Sequence, residues 1–166
     1  MSLDNIQLSP LLVEKLYSKA LVDLNTAKAE TENKPASAFN WLGKNKKNIL
    51  IVVNEPEAAY LQDADLQLLL GILTACKLSS TEDIALLNFY TNKEADYASL
   101  NSALNPSTII LFGVEPAALD FPLHFPHFQL QAYNGQHYLS APALKELATN
   151  VALKKQLWLS LQKHFK

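Results

Sequence analysis

Two groups of polar side chains have types and spacings that could take part in chemistry. Asn54, Glu55 and Glu57 directly follow a strongly apolar run. Carboxylates placed there could act as general acids or bases, and the same residues equally suit a solvated turn between a strand and a helix. His124 and His127 lie in an aromatic segment interrupted by prolines. A metal site needs three or four ligands and no third ligand is near, so the sequence predicts no metal site here.

Cys76 is the only cysteine in the chain, and it falls on the apolar side of a predicted helix. A nucleophilic thiol needs a lowered pKa and a neighbouring base, and no motif supplies either. The four glycines form neither a dinucleotide-binding fingerprint nor a phosphate-binding loop. We therefore expect a chain without a cofactor, in which Cys76 is a small buried hydrophobe.

The composition of the 166-residue chain favours a globular cytoplasmic protein. One cysteine cannot form an internal disulfide, and the stretch from Met1 to Leu8 lacks the features of a signal peptide. The longest apolar runs are too short to span a bilayer. All 14 basic residues are lysine, and the net charge is −2. Because arginine is the preferred bidentate ligand of phosphates and guanine edges, specific nucleic-acid binding is not expected.

Apolar runs that alternate with amphipathic segments predict an α/β domain over residues 38–166. Three continuous apolar runs are typical of strands buried on both faces, and Asn134-Gly135 between two further runs predicts a hairpin. The predicted strands are 48–53, 84–89, 107–113, 128–133 and 137–140, and the predicted helices are about 63–73, 93–104, 142–147 and 151–164. This alternation predicts a three-layer α/β/α sandwich with a central, mainly parallel, four-stranded sheet.

The ends of the predicted strands define a candidate cleft, because parallel α/β sheets bind ligands beyond the carboxyl ends of their strands. The candidate cleft residues are Asn54, Glu55, Pro56, Asn88, Ser140, Ala141 and Pro142. Trp158 lies beside the apolar stripe of the last predicted helix. That position predicts that its ring belongs to the core rather than to a binding surface.

Residues 1–37 are predicted to form an N-terminal amphipathic helix followed by a polar linker. Ser9 and Pro10 suit the start of a helix. The candidate partner-binding residues on its apolar stripe are Leu12, Leu16, Leu21 and Leu24. A helix this short is marginal alone in water, so its stripe either packs on its own domain or binds in a groove of another protein.

The segment from Pro142 to Trp158 resembles the closing signature of the psi subunit family of bacterial DNA polymerase III. In that family the stretch contains Pro-Ala-Leu, then an acidic residue and Leu, then Asn, and finally Leu-Trp. The corresponding residues, without a gap, are Pro142, Ala143, Leu144, Glu146, Leu147, Asn150, Leu157 and Trp158. The stretch from Ile49 to Pro56 also resembles the psi pattern of an apolar run followed by Asn, an acidic residue and proline.

The chain is also similar, more distantly, to the uracil-DNA glycosylase superfamily, whose fold psi resembles. This similarity covers 78–88 and 107–113 and implies strand order 2-1-3-4. An active glycosylase typically has a glycine-rich turn after the first strand and a His-Pro-Ser-type motif before the last helices. Here the first turn is Asn54-Glu55-Pro56-Glu57, and Ala141 stands in the histidine position. The resemblance therefore implies a glycosylase-like fold without the catalytic residues.

The psi resemblance implies a non-catalytic subunit of the clamp-loader complex that acts as a protein–protein scaffold. Its partners would be a clamp-loader subunit, bound by the N-terminal segment, and a chi-like subunit. The alternative is a divergent glycosylase-like enzyme, or another hydrolase, that uses Asn54 or Glu55 in the strand-end cleft. A deep polar cleft favours the enzyme, whereas a cleft filled by side chains favours the scaffold.

Overall fold

A computed structural model describes residues 39–165, and its strands form one mixed sheet. The strands are β1 (Trp41–Leu42), β2 (Ile49–Val53), β3 (Ile84–Asn88), β4 (Thr108–Phe112), β5 (Gln131–Tyr133) and β6 (Gln136–Ala141). The predicted α/β class is confirmed. The sheet has six strands where four were expected, because a short strand is added at each edge.

The strand order across the sheet is β1-β3-β2-β4-β6-β5. The four inner strands are parallel to their neighbours, whereas β1 and β5 pair antiparallel at the two edges. All five residues of β2, of β3 and of β4 are buried, as their continuous apolar sequences predict. The β5–β6 hairpin turns at Asn134 and Gly135, whose φ angles of 50° and 75° suit the left-handed conformation of a tight turn.

Four helices pack against the sheet in the described part of the chain: α1 (Asp63–Ala75), α2 (Tyr97–Leu104), α3 (Leu144–Thr149) and α4 (Val151–His164). Helix α2 begins four residues later than predicted. Asp96 caps it by accepting from the Ser99 backbone N–H at 2.7 Å, so residues 93–95 stay outside the helix. Its end is as predicted, with Asn105 in the left-handed conformation directly before Pro106.

Each face of the sheet buries its own hydrophobic cluster. On one face, alternate strand residues such as Ile51 and Phe112 pack with apolar residues of α1, α3 and α4. On the other face, residues such as Val52 and Leu111 pack with α2 and with the loop that carries Phe121 and Phe125. The period of two along each strand explains this division, since neighbouring side chains point to opposite faces.

The predicted N-terminal helix and linker, residues 1–37, lie outside the described residues. The candidate partner-binding residues Leu12, Leu16, Leu21 and Leu24 therefore stay predictions.

Candidate functional site

The carboxyl ends of the four parallel strands lie side by side at one edge of the sheet, which we call the strand-end edge. Val53 at the end of β2 is in register with Asn88 of β3 and with Phe112 of β4. Phe112 is in turn in register with Ala141 of β6. The residues that follow these strands in sequence are therefore neighbours in space, as expected for a parallel sheet.

Asn88 is fully buried, and its side-chain amide is bonded at both ends. Its Oδ1 accepts from the backbone N–H of Glu55 at 3.0 Å and of Tyr90 at 3.1 Å. Its Nδ2 donates to the carbonyl oxygens of Glu55, Ala58 and Ala59 at 2.7, 3.0 and 3.2 Å. The amide thus fixes the turn after β2 and has no bonding capacity left for a ligand.

The buried carboxylate of Glu55 forms an ion pair with Lys145, a partly exposed residue in the first turn of α3. Only 3% of Glu55 is exposed, and the Lys145 Nζ lies 3.3 Å from its Oε1 and 3.2 Å from its Oε2. The Glu57 backbone N–H donates to the same Oε1 at 3.1 Å, and the Glu57 carboxylate lies 3.6 Å from the Lys145 Nζ. The hydrogen bond with Glu55 raises the pKa of Lys145, so the ammonium group stays charged and balances the buried carboxylate.

Asp65 is a second buried carboxyl group at the strand-end edge, 4% exposed and located in the first turn of α1. Together with Glu55 and Lys145 it lines a pocket of about 180 Å³. Burial raises the pKa of Asp65; the Lys145 charge opposes this shift and the Glu55 charge adds to it. The pocket therefore holds two carboxyl groups in different environments. Glu55 is paired with Lys145, whereas burial disfavours the charged form of Asp65.

The predicted cleft residues divide between this pocket and the interior of the domain. Asn54 and Pro56 are exposed and line the pocket with Glu55. Ala141 is fully buried in the hydrophobic cluster beneath α3, and Pro142 is half-buried and outside the pocket lining. Ala141, where the glycosylase resemblance would place a histidine, is thus a core residue.

Ser140 points away from the pocket and contacts His127, a pairing that sequence reasoning missed. The Ser140 Oγ lies 2.9 Å from the His127 Nδ1. Ser140 is only 1% exposed, so no substrate could reach its hydroxyl without a rearrangement of the loop. Because neighbouring residues of β6 alternate between faces, Ser140 lies on the face opposite Ala141. The pair therefore fixes the loop against β6.

Lys145 is the residue of this site that the sequence reasoning did not single out. A lysine on a short amphipathic helix is usually a solvated side chain, and its type carries no signature. Its position did carry a signal, because α3 follows β6 almost directly and so begins at the strand-end edge. Gln62 occupies the N-cap of α1, and Asp63 and Asp65 both lie in its first turn.

Two further reactive side chains, Cys76 and His164, lie outside the lining of the strand-end pocket. Burial raises the pKa of the Cys76 thiol to about 11, which makes it a poor nucleophile. The His164 ring contacts the His137 ring in a tilted arrangement with centroids 4.4 Å apart, and it bonds to the Thr108 hydroxyl at 2.8 Å. Burial, and then the His137 charge, lower the pKa of His164. Within residues 39–165, no group of three or more His, Cys, Asp or Glu side chains is placed to hold a metal ion.

The chain matches no protein-family model and no curated protein. Among the helices of the described residues, none has the length and apolar character needed to cross a membrane.

Proposed function

We propose that this chain is a non-catalytic, psi-like subunit of a DNA polymerase III clamp-loader complex, acting as a protein–protein scaffold in the cytoplasm. The observation that carries the scaffold role is the Glu55–Lys145 ion pair. It places a charged side chain of the protein itself where a parallel α/β sheet would bind its ligand.

The size and chemistry of the strand-end pocket support a role without catalysis. Its volume of about 180 Å³ is below the roughly 300–1,000 Å³ of pockets that bind small molecules. The side-chain amide of Asn88 is hydrogen-bonded to the backbone of the turn after β2. Glu55 accepts from Lys145 and from the Glu57 backbone. A substrate would therefore have to displace contacts that hold this edge of the domain together.

A glycosylase-like fold that lacks the catalytic residues is part of the same proposal. The inner strands lie in the order β3-β2-β4-β6, which corresponds to the 2-1-3-4 order that the glycosylase resemblance implies. An alanine side chain at position 141 cannot donate a hydrogen bond to a developing uracil anion. The turn from Asn54 to Glu57 lacks the glycines that allow the close approach of a flipped nucleotide.

The clamp-loader assignment rests on the residues from Pro142 to Trp158 that resemble the psi signature. In this proposal, a clamp-loader subunit binds the N-terminal stripe and a chi-like subunit binds the α/β domain. No specific nucleic acid, membrane, metal or cofactor takes part.

The test is binding of the purified chain to the clamp-loader ATPase subunit of the same organism, measured by calorimetry. Leu12→Asp combined with Leu16→Asp is expected to abolish binding, because a carboxylate cannot be buried unpaired in an apolar groove. Lys15→Gln combined with Ser18→Asp, on the polar side of the same predicted helix, changes the net charge by the same amount and is the matched control, which should retain most of the affinity. Absence of binding by the unmodified chain would refute the clamp-loader assignment.

One observation favours the alternative, an enzyme that uses the strand-end cleft. Asp65 has a raised pKa next to Glu55 and Lys145, and such perturbed groups in a pocket are common in active sites. We expect no uracil release from single-stranded or double-stranded DNA by the purified chain. Release that scales with protein concentration and is abolished by Glu55→Gln would favour the enzyme and refute the scaffold.

A further inference from the structure

An apolar groove runs between α1 and α4 on the outer side of their helical layer. Two adjoining cavities of about 460 and about 310 Å³ share Ala75, Trp158 and Leu161 in their walls. Leu68 and Ile72 continue the wall on the α1 side. We call this feature the α1–α4 groove.

Within residues 39–165 the groove is uncovered, because the residues that join the two helices to the sheet lie at or below its floor. Leu69 and Leu73 of α1 are buried in the core, as is Leu157 of α4. Trp158 is only half-buried. It packs against the core, as predicted, and it also lines the groove. Gly71 is exposed in the groove, and a Cβ placed on it would meet no atom of residues 39–165 within 4 Å. The groove therefore has room for side chains from another molecule.

Among residues 39–165, the charged side chains that line the groove are lysines. Lys77 and Lys163 line the larger cavity and Lys154 lines the smaller one, and no Asp or Glu of the described part of the chain lines either cavity. None of these lysines forms an ion pair with a carboxylate of residues 39–165. The chain as a whole has a net charge of −2, so the basic rim is a local feature. Complementary charge across an interface steers association and selects the partner.

We propose that the α1–α4 groove binds an amphipathic helix of a partner protein, with apolar residues on one face and acidic residues at its flanks. The α1 wall has 13 residues, which corresponds to about 20 Å of helix and suits an occupant of three to four turns. Leucine-like side chains at i, i+3 or i+4, and i+7 would fill the two cavities, as in other helix-in-groove complexes. Trp158 would be the central contact, since tryptophan is enriched among interface residues that dominate affinity.

The chemistry of the groove argues against a small polar ligand. A small-molecule site combines an enclosed cavity with a few convergent polar groups. The walls of the α1–α4 groove are mainly apolar, and its lysines surround a continuous channel between two helices. This inference extends the scaffold role proposed above to a specific surface and partner chemistry.

The test uses the full chain and two hydrocarbon-stapled helical peptides of 14 residues. Both peptides carry leucine at i, i+4 and i+7; one has glutamates at its flanks and the other has lysines. Fluorescence anisotropy is expected to show that the glutamate peptide binds at least about tenfold more tightly. Lys154→Glu combined with Lys163→Glu should reverse this preference. Lys155→Glu is the matched control, because Lys155 is exposed on α4 and does not line the groove.

A second variant blocks the groove without disturbing the core. Gly71→Phe introduces a ring where a side chain meets no neighbour, so the melting temperature should be retained while affinity for the glutamate peptide falls at least about fivefold. Equal affinity for the two peptides, or no binding of either at millimolar concentration, would overturn the proposal. Self-association of the chain that Gly71→Phe abolishes would also overturn it, by assigning the groove to a second copy. The assay contains no clamp-loader protein, so it is independent of the clamp-loader assignment.

Discussion

At the scale of single residues, Asn88 has the largest structural role at the strand-end edge. One buried amide bonds to the backbone at Glu55, Ala58, Ala59 and Tyr90, and so holds the chain that leaves β2 against the chain that leaves β3. An irregular segment at the end of a buried sheet needs such partners, because buried backbone groups without hydrogen bonds are costly. The polar residue here stabilises the domain and is not available for chemistry.

Asn88→Ala is expected to lower the free energy of unfolding by about 3 kcal/mol, because it leaves several buried backbone groups unpaired. Asn54→Ala is the matched control, since Asn54 is exposed at the same edge and should change stability by less than about 0.5 kcal/mol. Urea denaturation of both variants measures the difference. If both variants lose similarly little free energy of unfolding, water must bond to the backbone groups of the turn as well as the Asn88 amide does.

Asp65 makes the stability of the domain depend on pH. Its folded-state pKa is raised above the ordinary value of 3.8, so the folded state binds its proton more tightly than the unfolded state does. The stability of the unmodified chain relative to Asp65→Asn should therefore be greatest below about pH 3.8 and fall as pH rises through the folded-state pKa. Denaturant unfolding of both proteins between pH 4 and pH 7 follows this difference. If the stability of the unmodified chain relative to Asp65→Asn instead rises with pH, the Lys145 charge stabilises the Asp65 carboxylate more than burial destabilises it.

At the scale of elements, the junction between β4 and the start of α3 depends on a close backbone approach. Gly113 has a φ of +66°, and a Cβ placed there would lie 2.9 Å from the Ala143 Cβ and 3.1 Å from its Cα. The chain after β4 and the chain before α3 thus touch, which positions Lys145 over Glu55. Glycine is needed at 113 for conformation and for space.

Gly113→Ala and Gly135→Ala separate these two requirements. Gly135 has a φ of +75° but open space around its Cα, so its substitution should cost about 1–2 kcal/mol for conformation alone. Gly113→Ala should cost at least about 1 kcal/mol more, because Ala143 must also move. Thermal unfolding of the two variants measures the difference. Equal losses of stability in the two variants would indicate that Ala143 moves away from residue 113 without a cost in free energy.

The elements themselves were largely predictable, and the reasons for the misses are local. The continuous apolar runs 49–53, 84–88 and 108–112 leave no ambiguity between strand and loop, because both of their faces are buried. The strand Trp41–Leu42 was missed because two half-buried residues carry no periodic pattern. The start of α2 was placed too early because the strength of the Asp96 cap depends on a side-chain contact with Ser99.

At the scale of the whole molecule, the strand-end site was only partly predictable from sequence. The general rule for parallel sheets located Asn54, Glu55 and Asn88 at one edge, since each follows or ends a recognisable strand. The rule does not say where side chains point, so the bonding of Asn88 and the burial of Ser140 required the structure. Lys145 reaches Glu55 from 90 residues away in sequence, a contact that no local pattern encodes.

The last prediction concerns the two parts into which the sequence divides the chain. Residues 39–165 bury a hydrophobic cluster on each face of the sheet, and the inner strands β2, β3 and β4 are fully buried. Deletion of residues 1–36 is therefore expected to leave cooperative unfolding intact, with the free energy of unfolding changed by less than about 1 kcal/mol. The same deletion should abolish binding to the clamp-loader subunit if the proposed function is correct.

The control for this deletion is removal of residues 150–166, which takes away Leu157 and Leu161 from the cluster beneath α1 and α3. Losing two buried leucines and the helix that carries them should abolish cooperative unfolding, because each buried leucine alone contributes about 2–5 kcal/mol. Calorimetry of both truncated chains gives the comparison. A large fall in melting temperature after deletion of residues 1–36, with clamp-loader binding retained, would assign the N-terminal leucines to the stability of the domain and remove them from the partner interface.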